Sequence, residues 1–372
     1  MTEADQTVEA ARSLVADRIA PAVREWERAA AYPRDIAHQS GLTALFVPAE
    51  AGGLGLSYRD GMRVFEELGR GDAAFAFSLS MHNAVAAAVH AAGSPELVSH
   101  WGERLRSGEA LGGFSLTEPH AGSDATAITT IATVDGDGWR VTGQKAWVSL
   151  AGEADLFLVV CRTQPGPGHE DIAIAAVAAD APGVTFGPLY EKASADFLPI
   201  GEMSLVGVPA EMLVPAGAGM RAALAAIDVA RCDIAAIACG LHAEALDVAL
   251  RHARDRTAFG QALLEFQGIR WQLADAETDL LASRLLVRAA AEALDGGQGA
   301  SVAIAHAKRF APEAALRAAI TCSEVLGAYG WLHDHPLARF IALAKMLQVV
   351  DGTSEVQRLV IARDLEKRAA GL

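Results

Sequence analysis

The hydrophobic period of this chain changes twice, and this constrains the possible fold more than any other feature. From about Val8 to Ser107, apolar residues recur every three or four positions, which is typical of amphipathic helices. From Leu111 to Pro215 the period becomes two, which favours strands, and from Gly219 onward long Ala- and Leu-rich helical patterns return. The sequence therefore predicts an α+β multidomain protein, with an N-terminal helical domain over residues 1–110, a central β domain over 111–216 and a C-terminal helical bundle over 217–372.

Turn and loop signals divide these segments further. Alternation is clearest in the run Trp139–Trp147, and the preceding Asp135–Gly138, which reads DGDG, is a hairpin signal. The stretch Gln164–Glu170 is rich in Pro and Gly and predicts an exposed loop. In the last segment the helical pattern is broken near Asp295–Gly299 and again near Leu332–Pro336. We expect four or five long helices there.

Charge and hydropathy exclude several classes of partner. The 372 residues include 31 Lys and Arg against 46 Asp and Glu, a net charge of −15, and no basic block occurs. Binding to nucleic-acid phosphates needs a basic face, so we expect no nucleic-acid partner. No stretch is apolar enough to span a bilayer, so no membrane association is expected. The N-terminal segment Met1–Ala10 contains three acids and no apolar core, which excludes a secretory signal peptide.

Cysteine and histidine usage gives no sign of a disulfide framework or a metal site. The four cysteines are scattered without a C-x-x-C pair: Cys161, Cys232, Cys239 and Cys322. His333 and His335 flank Asp334 in a predicted helix connection, but no H-E-x-x-H motif accompanies them. We therefore expect reduced thiols, a cytoplasmic location and no bound metal.

Asp351 lies between an apolar pair and a predicted helix start. Ser354 and Gln357 have the S-x-x-Q form of a capping box, so the helix is expected to begin at Ser354 with its free N–H groups directed toward Asp351. The helix end favours the carboxylate anion, whereas Val349 and Val350 would remove water from it and raise its pKa. These opposed effects would leave a base usable near neutral pH. The alternative is that Asp351 serves helix capping alone.

Four collinear motifs carry a resemblance to a known family. They are LTEPHAGSD at Leu116–Asp124, KAWVS at Lys145–Ser149, RTAFG at Arg256–Gly260 with Gln267 following, and DGTSEVQR at Asp351–Arg358. In this order and spacing the chain resembles the acyl-CoA dehydrogenases over nearly its whole length. The resemblance implies an N-terminal helical domain, a central β-barrel and a C-terminal four-helix bundle. It also implies that FAD binds between the barrel and the bundle.

The resemblance also implies which residues contact FAD. Seven positions in the middle segment would contribute: Phe114, Leu116, Thr117, Gly122, Ser123, Trp147 and Ser149. Arg256, Phe259 and Gln267 match positions that reach the FAD of a neighbouring subunit, and Glu324, Gly327, Thr353 and Glu355 match further FAD positions. The alternatives are a Pro-Gly turn joining strands, a buried core tryptophan at Trp147 and a solvated helix-end arginine at Arg256. In Glu324–Ala328, both the Gln and the second Gly of the family pattern are replaced.

At the substrate, the resemblance implies that residue 351 removes the α-proton of an acyl thioester while hydride passes from the β-carbon to flavin N5. The family usually has Glu there, and Asp351 is shorter by one methylene, about 1 Å of reach. Gly352 would contribute backbone to the stabilisation of the thioester carbonyl. Ser123, Asp228, Arg231 and Val350 match substrate-flanking positions, and Val350 replaces a common tyrosine. Arg231 could equally hold the bundle together through a buried pair.

Three functions are compatible with this pattern. The first is α,β-dehydrogenation of an acyl thioester of CoA or a carrier protein, with an electron-transfer acceptor protein as partner and a homotetramer or homodimer as the assembly. The second is a flavoprotein oxidase resembling nitroalkane oxidase, which has Asp at the position of Asp351. The third is a non-catalytic, FAD-containing binding protein.

Overall fold

The helical, β and helical order expected from the sequence is confirmed. The structure, a computed structural model, describes residues 2–136, 138–166, 168–297, 299–333 and 335–371. Its helices are α1 Glu3–Leu14, α2 Ala20–Ala29, α3 Arg34–Gln39, α4 Tyr58–Gly71, α5 Ala73–Ala92, α6 Pro95–Leu97, α7 Glu103–Ser107, α8 Gly219–Asp255, α9 Gln267–Asp295, α10 Ala300–Leu326, α11 Leu337–Val349 and α12 Ser354–Ala369. Its strands are β1 Gly112–Ser115, β2 Ile131–Asp135, β3 Gly138–Ser149, β4 Leu156–Arg162, β5 Ile172–Ala178, β6 Val184–Leu189, β7 Ile200–Val214, β8 Thr257–Ala258 and β9 Gln261–Ala262.

The chain forms two compact units that each collect separate stretches of sequence. The helical unit comprises Met1–Val23, Ser57–Phe77 and Ala230–Leu372, and the sheet unit comprises Arg24–Leu56 and Ser78–Val229. In the part of the chain that the structure describes, no helix is both long and apolar enough to cross a membrane.

A closed barrel forms the centre of the sheet unit. The strand order is β1-β4-β2-β3-β7-β5, and the additional pairing of β5 with β4 closes the ring, while β6 pairs with β7. Strand β4 is buried at every position and β5 at all but its last residue, because both faces of these strands are covered. The predicted hairpin is present, since β2 and β3 are antiparallel with Asp135 opposite Gly138; Asp137 lies outside the described residues.

A β-bulge in β3 changes the direction of Trp147. Along this strand Val141 and Lys145 are buried, and the register against β7 then shifts between Lys145 and Val148. Trp147 has φ +58°, Val148 is buried, and the side chain of Trp147 is 63% exposed. An inserted residue moves the following side chains to the other face of the sheet. The side chains of the run Trp139–Trp147 therefore do not all lie on one face of the strand.

The core of the helical unit is built on α10. This helix packs against α9, α11 and α12, and its buried positions are mainly alanines, which allow close approach of the helix axes. The expected breaks are present, because α9 ends at Asp295 before α10 begins, and α11 begins at Leu337. Gln298 and Asp334, within those breaks, lie outside the described residues.

Two glycines bring α4 and α8 into backbone contact within the helical unit. A Cβ atom at Gly240 would lie 1.9 Å from the carbonyl oxygen of Glu66, and one at Gly69 would lie 2.3 Å from that of Ile237. A side chain at either position must therefore separate the two helices. Arg284 crosses from α9 to the same region and binds the Glu66 carboxylate at 2.6 Å.

We predict that Gly240→Ala lowers the free energy of unfolding by about 1–3 kcal/mol, because the added methyl group overpacks the α4–α8 crossing. Gly268→Ala is the matched control, since Gly268 is also helical and a Cβ there has no atom within 4 Å. The control is expected to be neutral or slightly stabilising, because Ala favours helix. Chemical denaturation of both variants measures the difference, and equal stabilities would contradict the close crossing.

Candidate functional site

The turn at Asp351 and Gly352 connects α11 to α12 and has an unusual backbone. Asp351 has φ +52° and Gly352 has φ +95°, so two consecutive residues adopt left-handed conformations. Glycine tolerates this conformation, whereas an L-residue with a side chain adopts it at a cost in free energy. Such a turn persists only where the surrounding structure holds it.

Three side chains of the helical unit hold this turn by donating hydrogen bonds to its carbonyl oxygens. Arg231 Nε donates to the Asp351 carbonyl at 2.8 Å. Lys308 Nζ donates to the Gly352 carbonyl at 2.8 Å, and Gln357 Nε2 donates to the same oxygen at 3.1 Å. Arg231 also packs on Gly352, since a Cβ there would lie 2.9 Å from its Nη2. The turn is therefore fixed from α8, α10 and α12.

The carboxylate of Asp351 is held in a way that leaves it available. Its Oδ2 atom is buried and accepts no hydrogen bond from the residues that the structure describes. Burial raises the pKa of Asp351, while the charges of Lys308 and Arg231 oppose that rise. Unpartnered buried polar atoms are uncommon and are a frequent sign of a functional group.

The expected source of the raised pKa needs correction. The sequence pointed to Val349 and Val350, but Val349 is 52% exposed and Val350 is only partly buried. The carboxylate therefore has two cations near it, Lys308 and Arg231, and not only an apolar pair. Lys308 was not anticipated, because a single lysine in the Ala-rich run AIAHAKRFA reads as a solvent-facing residue.

Lys308 is fully buried on α10. Its ammonium donates to the Gln348 carbonyl at 3.2 Å as well as to that of Gly352. Burial lowers the pKa of Lys308, and the neighbouring Asp351 acts in the opposite direction. The two carbonyl oxygens lie on either side of Asp351 in the sequence, so one ammonium spans the segment that carries the carboxylate.

The predicted helix start at Ser354 is confirmed, but the predicted capping box is wrong by one residue. Thr353 is the N-cap, and its hydroxyl accepts from the Val356 N–H at 3.3 Å. Ser354 Oγ is buried without a hydrogen-bond partner among the described residues, and Gln357 reaches back to Gly352. Thr353 is itself a good cap, and the left-handed residue before it positions the chain so that Thr353 takes that role.

The expected flavin-contacting loop lies in the sheet unit and is held by a buried ion pair that sequence analysis missed. Lys145 Nζ donates to the Leu116 carbonyl and to Glu118 Oε1, both at 2.9 Å. Glu118 accepts three further bonds from Thr129 and Thr130. Burial opposes ionisation of Glu118, but Lys145 and these donors outweigh it and lower the pKa of Glu118 to about 2.

Of the seven expected flavin positions in the sheet unit, three are exposed and four are partly buried, with Phe114 and Leu116 packed against the hydrophobic core. Ala146 N–H donates to the Thr117 carbonyl at 2.9 Å, which joins the loop to the strand that carries Trp147 and Ser149. Gly122 and Ser123 are exposed, and a Cβ at Gly122 would have no atom within 4 Å. Phe114, Leu116, Thr117 and Ser149 are partly buried, and exposed Trp147 is not a core tryptophan, which removes that alternative. Its indole lies against Tyr190 with ring centroids 4.5 Å apart.

Of the expected cofactor residues in the helical unit, Arg256 lines a cavity. This cavity of about 640 Å³ is also lined by Leu326, Tyr329 and His335 among others. Glu324 is exposed near the end of α10, and Gly327 follows with φ +58°. Arg256 is exposed directly after the last residue of α8, so a helix-end role remains compatible with its position. The cavity lining combines the arginines Arg251 and Arg256 with the carboxylates Glu244 and Asp255 and the rings of His252, Tyr329 and His335.

The β8–β9 hairpin carries Phe259 at its tip. Phe259 has φ +50° and Gly260 has φ +84°, the conformation of a tight two-residue turn. The phenyl ring is 99% exposed, and Gln267 is exposed at the start of α9. The ring lies edge-on to Phe266, with ring centroids 6.4 Å apart.

The remaining expected positions have simpler surroundings. Asp228 and Arg231 lie one turn apart on α8, and Arg231 contacts the Asp351 backbone, which supports its role in holding the bundle. Val350 is the C-cap residue after α11, and Glu355 is exposed, in an ion pair with Arg358 at 2.9 Å. Among the described residues, no group of three or more His, Cys, Asp and Glu side chains could hold a metal ion, and all four cysteines are buried and free.

Comparison with known proteins places the whole chain in one family. Three family models match in order: "Acyl-CoA dehydrogenase, N-terminal domain" over residues 1–109, "middle domain" over 113–208 and "C-terminal domain" over 217–366. The mitochondrial isobutyryl-CoA dehydrogenase of Dictyostelium discoideum is 32% identical over 94% of this chain and 86% of that protein.

Solved structures agree with the sequence comparison. The butyryl-CoA dehydrogenase of Megasphaera elsdenii superposes with a TM-score of 0.94 at 29% identity over 98% of both chains. A chain from a structure of the electron transferring flavoprotein of Acidaminococcus fermentans superposes equally well, with a TM-score of 0.94 at 28% identity over 98% of both chains. The chain belongs to the acyl-CoA dehydrogenase family and is a flavoprotein oxidoreductase with FAD as its cofactor.

Proposed function

We propose that this protein oxidises the Cα–Cβ bond of an acyl-CoA thioester, with Asp351 as the base that removes the α-proton. The observation that carries the proposal is the buried, unpartnered Oδ2 of Asp351 in a turn fixed by Arg231, Lys308 and Gln357. A carboxylate whose hydrogen-bonding capacity is unused, and whose backbone is fixed, is suited to accept a proton from carbon.

The oxidation of the substrate balances with one base, Asp351, and one hydride acceptor, FAD. The Asp351 carboxylate takes the proton from Cα, hydride leaves Cβ, and the product is a 2-enoyl thioester. Bound FAD supplies the hydride acceptor at N5. We assign to the Gly352 backbone a part in orienting and polarising the thioester carbonyl, since this makes the α-proton more acidic.

Asp351 is shorter than the Glu that the family usually has, so the substrate must lie about 1 Å closer to the backbone of the turn. Val350 in place of the common tyrosine leaves space on the same side. We therefore propose a substrate with a branched or otherwise bulky acyl group, with Arg231 as its neighbour in the helical unit; Ser123 and Asp228 stay predicted substrate positions of the sheet unit. The isobutyryl-CoA dehydrogenase relative is named for such a group.

Two groups of residues support FAD binding, each within its own unit. In the sheet unit these are Phe114, Leu116, Thr117, Gly122, Ser123, Trp147 and Ser149; in the helical unit they are Arg256, Phe259, Gln267, Glu324, Gly327, Thr353 and Glu355. Arg256 is suited to the pyrophosphate, and Trp147 is suited to stacking on the flavin because its indole is exposed.

We further propose a homodimer or homotetramer in which Phe259 contacts a second copy, since its ring is 99% exposed.

An electron-transferring protein is the proposed acceptor of the two electrons, as the related structure from Acidaminococcus fermentans suggests. A cytoplasmic location is compatible with four buried free cysteines. CoA is preferred to a carrier protein as the thiol because the relatives are named for CoA thioesters.

A nitroalkane oxidase activity is the second candidate, and the aspartate at position 351 is the observation that favours it.

One experiment separates the candidates. If the protein is an acyl-CoA dehydrogenase, anaerobic mixing with a panel of straight and branched acyl-CoAs is expected to bleach the flavin absorbance. Nitroalkane turnover with peroxide release, without bleaching by any acyl-CoA, would support the oxidase instead. Neither response would favour a binding protein that retains FAD without catalysis.

We predict that Asp351→Asn lowers the rate of anaerobic flavin reduction by about 10²–10⁴-fold, the usual contribution of a general base. Asn is preferred to Ala because it tolerates the left-handed backbone of this position. Asp364→Asn is the control, since it removes a carboxylate of α12 that forms an ion pair with Arg368. FAD content should stay unchanged in both, and undiminished reduction by the Asn variant would rule out the assigned base.

We predict that the rate of flavin reduction rises with pH, with a midpoint above the value of about 4 for an ordinary aspartate. The sign follows from the mechanism, because the base must be ionised and burial raises the pKa of Asp351. Stopped-flow reduction measured from about pH 3 to pH 9, a range that brackets the ordinary aspartate value of about 4, provides the profile. The residual rate of Asp351→Asn should lack this rise; a wild-type profile that is flat or falls with pH contradicts the prediction.

A further inference from the structure

Lys308 has a more demanding environment than its contacts with the backbone require. Its side chain is fully buried, and its ammonium donates to the carbonyl oxygens of Gln348 and Gly352. Burying a cation has a high desolvation cost, so a lysine is found in such a place only when its charge is compensated. Two carbonyl dipoles compensate part of that cost.

These hydrogen bonds alone do not explain why the donor at position 308 is a side chain that can carry a charge. Gly352 O already accepts a bond from the neutral amide of Gln357 at 3.1 Å, and Arg231 holds the adjacent carbonyl of Asp351. A neutral side chain at position 308 could complete the same set of bonds with a smaller desolvation cost. A charged donor at position 308 is therefore favoured only where an anion lies nearby.

The charged groups around Lys308 identify that anion. Asp351 and Glu355 act on it as anions and Arg231 acts as a cation. Glu355 is exposed and paired with Arg358, whereas Asp351 Oδ2 is buried and has no hydrogen-bond partner among the described residues. The buried anion that benefits from the ammonium is therefore Asp351. Arg231 contributes a second positive charge from α8.

We propose that Lys308 is a positioning residue for the base: its buried ammonium clamps the backbone on both sides of Asp351 and keeps the carboxylate ionised without a direct hydrogen bond to Oδ2. The inference rests on the proposed role of Asp351. A direct bond would stabilise the carboxylate but would also occupy the oxygen that must accept the proton. A charge held on neighbouring carbonyl oxygens avoids that competition.

The test compares Lys308→Met, which removes charge and donors at similar length, with Lys308→Gln, which removes the charge but retains an amide donor. Both should shift the rising limb of the pH profile for flavin reduction to higher pH by about one unit or more, because a neighbouring opposite charge favours the ionised form by that amount. At pH values below the midpoint of the profile, a displacement by one pH unit makes flavin reduction about tenfold slower. Substrate affinity and FAD content should change little.

Lys345→Met is the matched control, because Lys345 is an exposed lysine on α11 whose ammonium donates to the Gln348 side chain at 3.1 Å. It should leave the profile unchanged. A purely structural role for Lys308 predicts lower thermal stability and equal loss of rate at every pH, with no displaced limb; that result would overturn the inference while Asp351→Asn remained inactive. If Asp351→Asn itself reduced flavin normally, the proposed function would fail first.

Discussion

The central interaction in this protein is the hydrogen bonding of Arg231, Lys308 and Gln357 to the carbonyl oxygens of a left-handed turn. Asp351 and Gly352 both have positive φ, and the cost of that backbone is offset by donors from three helices that converge on their carbonyl oxygens. Because the donors bind backbone, the carboxylate keeps an unused oxygen. The same cations limit the rise in the pKa of Asp351 that burial alone would cause. Geometry and ionisation of the base therefore have one common origin.

The sheet unit uses a similar device. Lys145, like Lys308, is fully buried and donates to a loop carbonyl, that of Leu116 in the expected flavin loop. Its counterion Glu118 is bound by Thr129 and Thr130 and is part of the same loop. In both units a buried ammonium orders an irregular segment that must present its other atoms to a ligand. Irregular backbone cannot satisfy its own carbonyl groups through helix or sheet bonds, so side chains supply the donors.

Sequence periodicity was sufficient for the order of helical and β segments and for the hairpin between β2 and β3, because these depend on local patterns. The four motifs were sufficient for the family. Closure of the barrel through β4 and β5 was not visible in the same way, since it depends on pairing of separate strands. The bulge that turns Trp147 outward leaves no clear pattern in the sequence, and neither does the choice of Thr353 over Ser354 as cap. Lys308 and the Glu118–Lys145 pair were missed because a charged residue in an apolar run reveals its partner only in three dimensions.

The most direct test of the account is whether Asp351 removes hydrogen from the α-carbon. Washout of α-deuterium from an acyl-CoA into water, followed by NMR, isolates that step from the transfer of hydride. Rapid washout is expected with the wild-type protein and essentially none with Asp351→Asn at equal FAD content. Washout that is unaffected by the substitution would show that another group is the base.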